Sequence, residues 1–185
     1  MKSAIVFLIL FLPAAGSAYS KNIQFEDFDW GMTLLQVEAR AAENNYDLRM
    51  KEITGLKPRL EYRTFLRGKD CVVTFSFTPI GQKLYSATVV WDPPSFGVFV
   101  QEELKKTYGE PRESIPGANL LVWTRLNTEL ELLYGRENTR LVYSDIHLWK
   151  EGLDEKKMLR EQAKEAEEAE EKKGEQESLP EEEED

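Results

Sequence analysis

The sequence predicts an α+β fold, a two-layer sandwich in which an antiparallel sheet of about six strands carries two helices on one face. Three observations carry that expectation. Two stretches with helical apolar spacing and recognisable ends occur near residues 33–43 and 95–108. Runs with strict period-two alternation follow each of them. The segment after Trp149 then changes character, because Lys150 to Asp185 holds sixteen of the 34 acidic residues against seven basic ones. The net charge of −10 therefore resides in the tail, and the body is close to neutral. The length suits one domain plus a tail, divided as residues 1–18, 19–149 and 150–185.

Residues 1–18 read as a secretory signal peptide. Lys2 supplies the positive start, Ala4 to Leu12 is an unbroken apolar run, and Pro13 ends it. Gly16-Ser17-Ala18 offers small residues for cleavage between Ala18 and Tyr19. As a helix the apolar run rises about 13 Å, short of the roughly 30 Å a membrane span needs. The expected product is periplasmic or secreted, and not an integral membrane protein once processed. No Cys stands near the cleavage point to take a lipid anchor.

The first helix opens with Thr33-Leu34-Leu35-Gln36, a capping box, between Met32 and Val37 as a hydrophobic staple. Leu34, Val37 and Ala41 form its stripe, and Asn44-Asn45 ends it. Tyr46 to Lys51 is a candidate short strand. Arg59 to Arg67 and Cys71 to Phe77 alternate cleanly, Lys83 to Trp91 is more apolar, and Pro79-Ile80-Gly81 suits a hairpin. Ser95 is the candidate cap of the second helix. Phe96, Phe99, Val100, Leu104 and Tyr108 share a face of it, and Gly109 with Pro111 stops it. Asn119–Arg125, Thr128–Gly135 and Thr139–Ile146 complete the strands, with turns at Asn127 and Glu137-Asn138. Trp30-Gly31 and Phe96-Gly97, one before each half, suggest a duplication. Beyond Trp149, charge pairs at helical spacing predict a solvated helix to about Lys173 that frays into a disordered acidic end.

Gly31-Met32-Thr33-Leu34-Leu35-Gln36-Val37 resembles the opening of SmpA/OmlA-type outer-membrane assembly lipoproteins, and the same signature occurs in β-lactamase inhibitor proteins. Tyr108-Gly109-Glu110-Pro111 is similar to the Leu-Gly-x-Pro turn that often closes the family's helix. The resemblance implies two helices on a small antiparallel sheet, and a role in binding other proteins rather than in catalysis.

The chemistry-bearing residues point the same way. Cys71, the only cysteine, shares a strand face with Val73, Phe75 and Phe77, so it reads as a buried thiol and not a nucleophile. One Cys also leaves no internal disulfide and no cysteine zinc site. His147, the only histidine, has no sequence partner for a triad, and no phosphate loop or Gly-x-Ser-x-Gly elbow occurs. No cofactor is expected. Glu181 to Asp185 offer hard oxygen ligands, but without a preorganised cage at most weak Ca²⁺ binding is expected there. A near-neutral body with an acidic tail is the wrong electrostatics for nucleic acid.

Arg59, Arg63 and Arg67 alternate on one strand face, with Lys57 and Lys69 flanking. Read blandly this is a solvated sheet face; read sharply it is a surface for an anionic partner, including this chain's own acidic tail. Tyr85, Trp91, Trp123, Tyr134 and Tyr143 lie on strands and mostly fill the core. Trp91 and Trp123 are the candidate anchors on an uncovered face. The expected function is an exported, non-catalytic, protein-binding module of the cell envelope; the alternative is a small periplasmic hydrolase or ligand-binding protein with a carboxylate site that the sequence does not locate.

Overall fold

The computed structural model describes residues 23–135 and 137–177. The expected signal segment, its cleavage point and the carboxylate run Glu181–Asp185 lie outside the described residues. The chain order is α1 (Leu34–Glu43), β1 (Asp47–Glu52), β2 (Arg59–Leu66), β3 (Lys69–Phe77), β4 (Leu84–Trp91), α2 (Phe96–Tyr108), β5 (Glu113–Ile115), β6 (Leu120–Arg125), β7 (Thr128–Tyr134), β8 (Thr139–Asp145) and α3 (Ile146–Glu177). All eight strands form one sheet in the order β1-β2-β3-β4-β8-β7-β6-β5, with every neighbour antiparallel. Two four-strand meanders, each preceded by a helix, thus meet edge to edge at β4 and β8. The α+β class and the antiparallel sheet are as expected. Among the described residues the sheet has eight strands where about six were expected, and three α-helices are present, the two expected on one face and the charged C-terminal one.

The capping box forms: the Thr33 amide donates to Gln36 Oε1 at 2.8 Å and the Gln36 amide donates to Thr33 Oγ1 at 3.4 Å. Leu34, Val37 and Ala41 are the buried stripe of α1. At α2 the Ser95 side chain makes no capping bond; the Pro93 and Pro94 carbonyls accept from the Phe96 and Gly97 amides instead. Phe99, expected in the α2 core stripe, is 47% exposed and stacks on Phe96 at 5.1 Å. Gly97 takes a buried place there, because a Cβ on it would stand 2.3 Å from the Tyr134 ring. Gly31, by contrast, lies ahead of α1 with φ +84°. The two aromatic-Gly steps are not equivalent positions, and the duplication lies in the topology alone.

Alternation decides the faces. Leu60, Tyr62, Val73, Phe75, Ala87, Val89, Leu130, Leu132 and Leu141 point to the helix side and are buried. A register shift opposite Phe77 turns Leu84 into that core, so the next residue, Tyr85, emerges on the reverse face. The centre of the helix side is filled by residues 23–28, a strap ahead of α1. Phe25 packs on Phe75 at 5.7 Å and on Tyr143 at 5.3 Å, and Phe28 packs on Phe75 at 4.5 Å. Ile23, Phe25 and Phe28 are all at least 98% buried.

α3 begins at Ile146, four residues before the expected charged segment, and continues to Glu177. Its early turns are clamped to the β3–β4 hairpin. Glu155 accepts from the Ile80 amide at 2.7 Å and the Gly81 amide at 3.2 Å, and Lys83 donates to Glu151 at 2.7 Å. Gly152 is buried beside Thr78. From Glu161 to Glu170 every residue is exposed, so the helix leaves the domain there.

Candidate partner-docking groove

Helices α1 and α2 and the strap all bury against one side of the sheet, and the reverse side is open except where α3 crosses one end. Register places Arg59, Glu61 and Arg63 of β2 on the open side, followed across the sheet by Val72, Thr74 and Ser76, then Ser86, Thr88 and Val90, then Arg140, Val142 and Ser144. Glu129 and Glu131 of β7 continue the row opposite Ser144 and Val142. The middle of this face is small and polar or β-branched, which leaves a shallow trough between longer flanking side chains.

On its basic side the trough is a depression of about 600 Å³. Thr74, Ser76, Tyr85, Thr88 and Val90 make its floor, and Lys57, Arg59, Arg140 and Lys156 line it with no carboxylate among its walls. Arg59 is paired with Glu52 at 2.9 Å, both half exposed; such a surface pair holds little energy and exchanges readily. Among the described residues Lys57, Arg140 and Lys156 form no ion pair. Partial burial, with the charges of Lys57 and Arg160 added, holds the Lys156 ammonium below its ordinary value. The Lys156 Nζ lies over the Tyr85 ring at 5.8 Å.

α3 is the wall of the groove. Trp149, Leu153, Lys156 and Arg160 recur at three- and four-residue spacing and so share one helix face. Trp149 and Leu153 are 45% and 43% exposed. Trp149 borders a second depression of about 410 Å³ with Glu129, Glu131 and Ser144. Burial, then the Glu131 charge and a hydrogen bond with Glu131, raise the Glu129 carboxyl above its ordinary value. The groove is therefore polar along its length, basic over β2–β4–β8 and acidic over β7.

The sequence candidates distribute unevenly over this geometry. Arg59 and Arg63 are on the open face and exposed, as their alternation requires. Arg67 is not with them. It forms a two-residue turn with Gly68, at φ +53° and +76°, and this turn ends the alternation. Its guanidinium lies on the helix side, bonded to Glu103 of α2. Trp91 and Trp123, expected as exposed anchors, are core residues at 1% and 2% exposure. Trp91 packs edge-on to Phe96 at 5.4 Å, and the Trp123 indole donates to the Gly109 carbonyl at 2.8 Å. The anchor-like aromatics on the open side are Trp149 and Tyr85. Arg140 and Lys156 carried no signal in the sequence, because the fold alone brings them to Lys57 and Arg59.

A recess of about 430 Å³ on the helix side is lined by Gln24, Glu26, Asp27, Arg67, Thr107, Tyr108 and Tyr143. Burial pushes the Tyr143 phenol up to about 12, with the Arg67 guanidinium pulling the other way. Glu26 and Asp27 are exposed there. Cys71 is buried, and burial pushes its thiol up to about 11. Among the described residues no three His, Cys, Asp or Glu side chains converge as metal ligands would, and no helix is long and apolar enough to cross a membrane. No protein family, no curated protein and no solved structure matches this chain.

Proposed function

We propose that the chain is an exported, non-catalytic binding module that docks a protein partner in the groove between α3 and the open sheet face. The observation that carries this reading is the basic trough. Four cations surround a floor that is mostly small or polar, three of them without a carboxylate partner among the described residues, beside a half-exposed Trp149. Guanidinium and ammonium groups held this way favour a carboxylate-bearing polypeptide, and exposed aromatic and aliphatic wall residues supply its anchors. The resemblance of Gly31–Val37 to the outer-membrane assembly and β-lactamase-inhibitor modules supports the same role. So does the signal-like start, which sends the product to the periplasm or outside the cell. The acidic helix then serves as a soluble spacer or second contact.

The ligand-binding or hydrolytic alternative has one specific place to stand, the recess at Arg67. Its carboxylates, Glu26 and Asp27, are exposed at the rim rather than held inside the recess. The docking reading is the better supported.

Its test is site-specific cross-linking in the native envelope fraction. A photoreactive side chain at Thr88 should capture a defined protein, and Arg140→Glu with Lys156→Glu should abolish the capture. The same probe at Glu102, on the outer side of α2, should not capture it. Equal capture from both positions, or capture unchanged by the charge reversals, refutes the reading.

A further inference from the structure

Resting on the reading that the open face docks a polypeptide, we infer that the basic trough of one copy receives the carboxylate run Glu181–Asp185 of a second copy. Charge complementarity is the first ground. Lys57, Arg59, Arg140 and Lys156 line a depression without a carboxylate, and Arg160 lies one turn beyond Lys156 on the same helix face. Glu181 to Asp185 are five consecutive carboxylates, the densest negative stretch in the sequence. Leu179 and Pro180 immediately precede them, an apolar pair for the half-exposed Trp149 and Leu153 of the wall.

Reach is the second ground, and it decides between the same copy and another. α3 runs unbroken from the trough residue Lys156 to Glu177. At the helical rise, that separation is about 32 Å. From Glu177 to Asp185 a fully extended chain spans at most about 29 Å. Only the last residue, Asp185, comes within side-chain reach of Lys156, whereas Glu181, with at most about 14 Å of chain beyond Glu177, falls far short, so the run as a whole cannot fill its own trough while the helix is intact. The helix carries the carboxylates away from the domain that bears their complement, so a second molecule supplies it. Donor and acceptor are different surfaces, which makes the contact heterologous. It is electrostatic and exposed, so salt weakens it.

Sedimentation velocity on the mature chain over roughly 5–500 µM tests this. Association is expected to rise with concentration, and to weaken roughly tenfold or more between 50 mM and 500 mM salt. Two full-length variants are compared with it. One carries Arg140→Glu and Lys156→Glu; the other replaces Glu181 to Glu184 by Gln and Asp185 by Asn. Each alone should be monomeric, and an equimolar mixture should recover a 1:1 complex, since one intact trough then meets one intact tail. If the reversals disturb folding, as circular dichroism would report, Arg140→Gln with Lys156→Gln replaces them. A wild-type chain that stays monomeric, a neutralised tail that associates as strongly as wild type, or a mixture that fails to complement overturns the inference. Should that happen while Thr88 still captures a different protein, the docking reading stands without it.

Discussion

Replacing Gly97 by Ala tests how tightly α2 is seated. The added Cβ would stand 2.3 Å from both Cβ and Cγ of Tyr134, and 2.9 Å from Cδ2. Ordinary carbon contacts lie at about 3.5–4.0 Å, so α2 must lift from β7 by more than 1 Å or the strand must bend. Lifting also strains the bond from the Tyr134 hydroxyl to Gln101 Oε1, now 2.7 Å. Overpacking of this kind costs about 1–3 kcal/mol and a lost hydrogen bond about 1 kcal/mol. Against this, Ala in place of Gly in a helix gains at most about 1 kcal/mol. The expected net is a loss of about 1–3 kcal/mol, which for a chain of this size lowers Tm by roughly 2–12 °C. Urea unfolding followed by tryptophan fluorescence reads it, with Gly135→Ala as control, since nothing lies within 4 Å of a Cβ there. A Gly97→Ala protein as stable as wild type, or more so, refutes the argument, because helix propensity alone predicts that result.

Three further outcomes follow from the geometry. Thr33→Ala removes the acceptor of the Gln36 amide and should cost about 1 kcal/mol, whereas Thr33→Ser should restore the midpoint of unfolding. With its thiol pushed up to about 11 from an ordinary 9.0, Cys71 should react with a disulfide reagent roughly a hundredfold slower than an ordinary thiol at pH 8, and at full rate in urea; rapid labelling of the native protein contradicts the burial. Glu129, held above its ordinary 4.5 by burial and Glu131, binds its proton more tightly folded than unfolded. Its stabilising share is present below that ordinary value and is lost as pH rises through the raised one. Glu129→Gln should therefore stabilise the protein at about pH 7 and not at about pH 4, and an equal gain at both would contradict the assignment.

Much of the fold was legible because local chemistry and global pattern agree. The Thr33–Gln36 box announced α1, and the alternation of Leu60, Tyr62, Val73 and Phe75 gave strands and faces together. What escaped had no local signal. β5 is a three-residue edge, Glu113–Ile115, exposed throughout, so nothing alternates in it. The strap carries no periodic signal, because Phe25 and Phe28 flank Glu26-Asp27 and only the tertiary structure brings both rings to the centre of the core. Ile146 is β-branched and reads as the end of the last strand, whereas it opens α3. In β4 Ala87, Val89 and Trp91 alternate with Ser86, Thr88 and Val90, so Trp91 belongs by parity to the buried face; its register opposite the buried Thr139 places it there. The site was half visible. Arg59 and Arg63 follow from alternation, but Arg140 and Lys156 reach them only across the β4–β8 seam.

That seam has a bearing on how the polypeptide acquires its shape during synthesis. Ser86 pairs with Ser144, so the central hydrogen-bonded ladder waits for residues made almost sixty positions later. Until β8 emerges, β4 presents Ala87, Val89 and Trp91 on a bare, hydrophobic border, the sort of border that recruits strands from other molecules. Protection of the nascent chain against misassembly is thus needed most while the second meander is still being made.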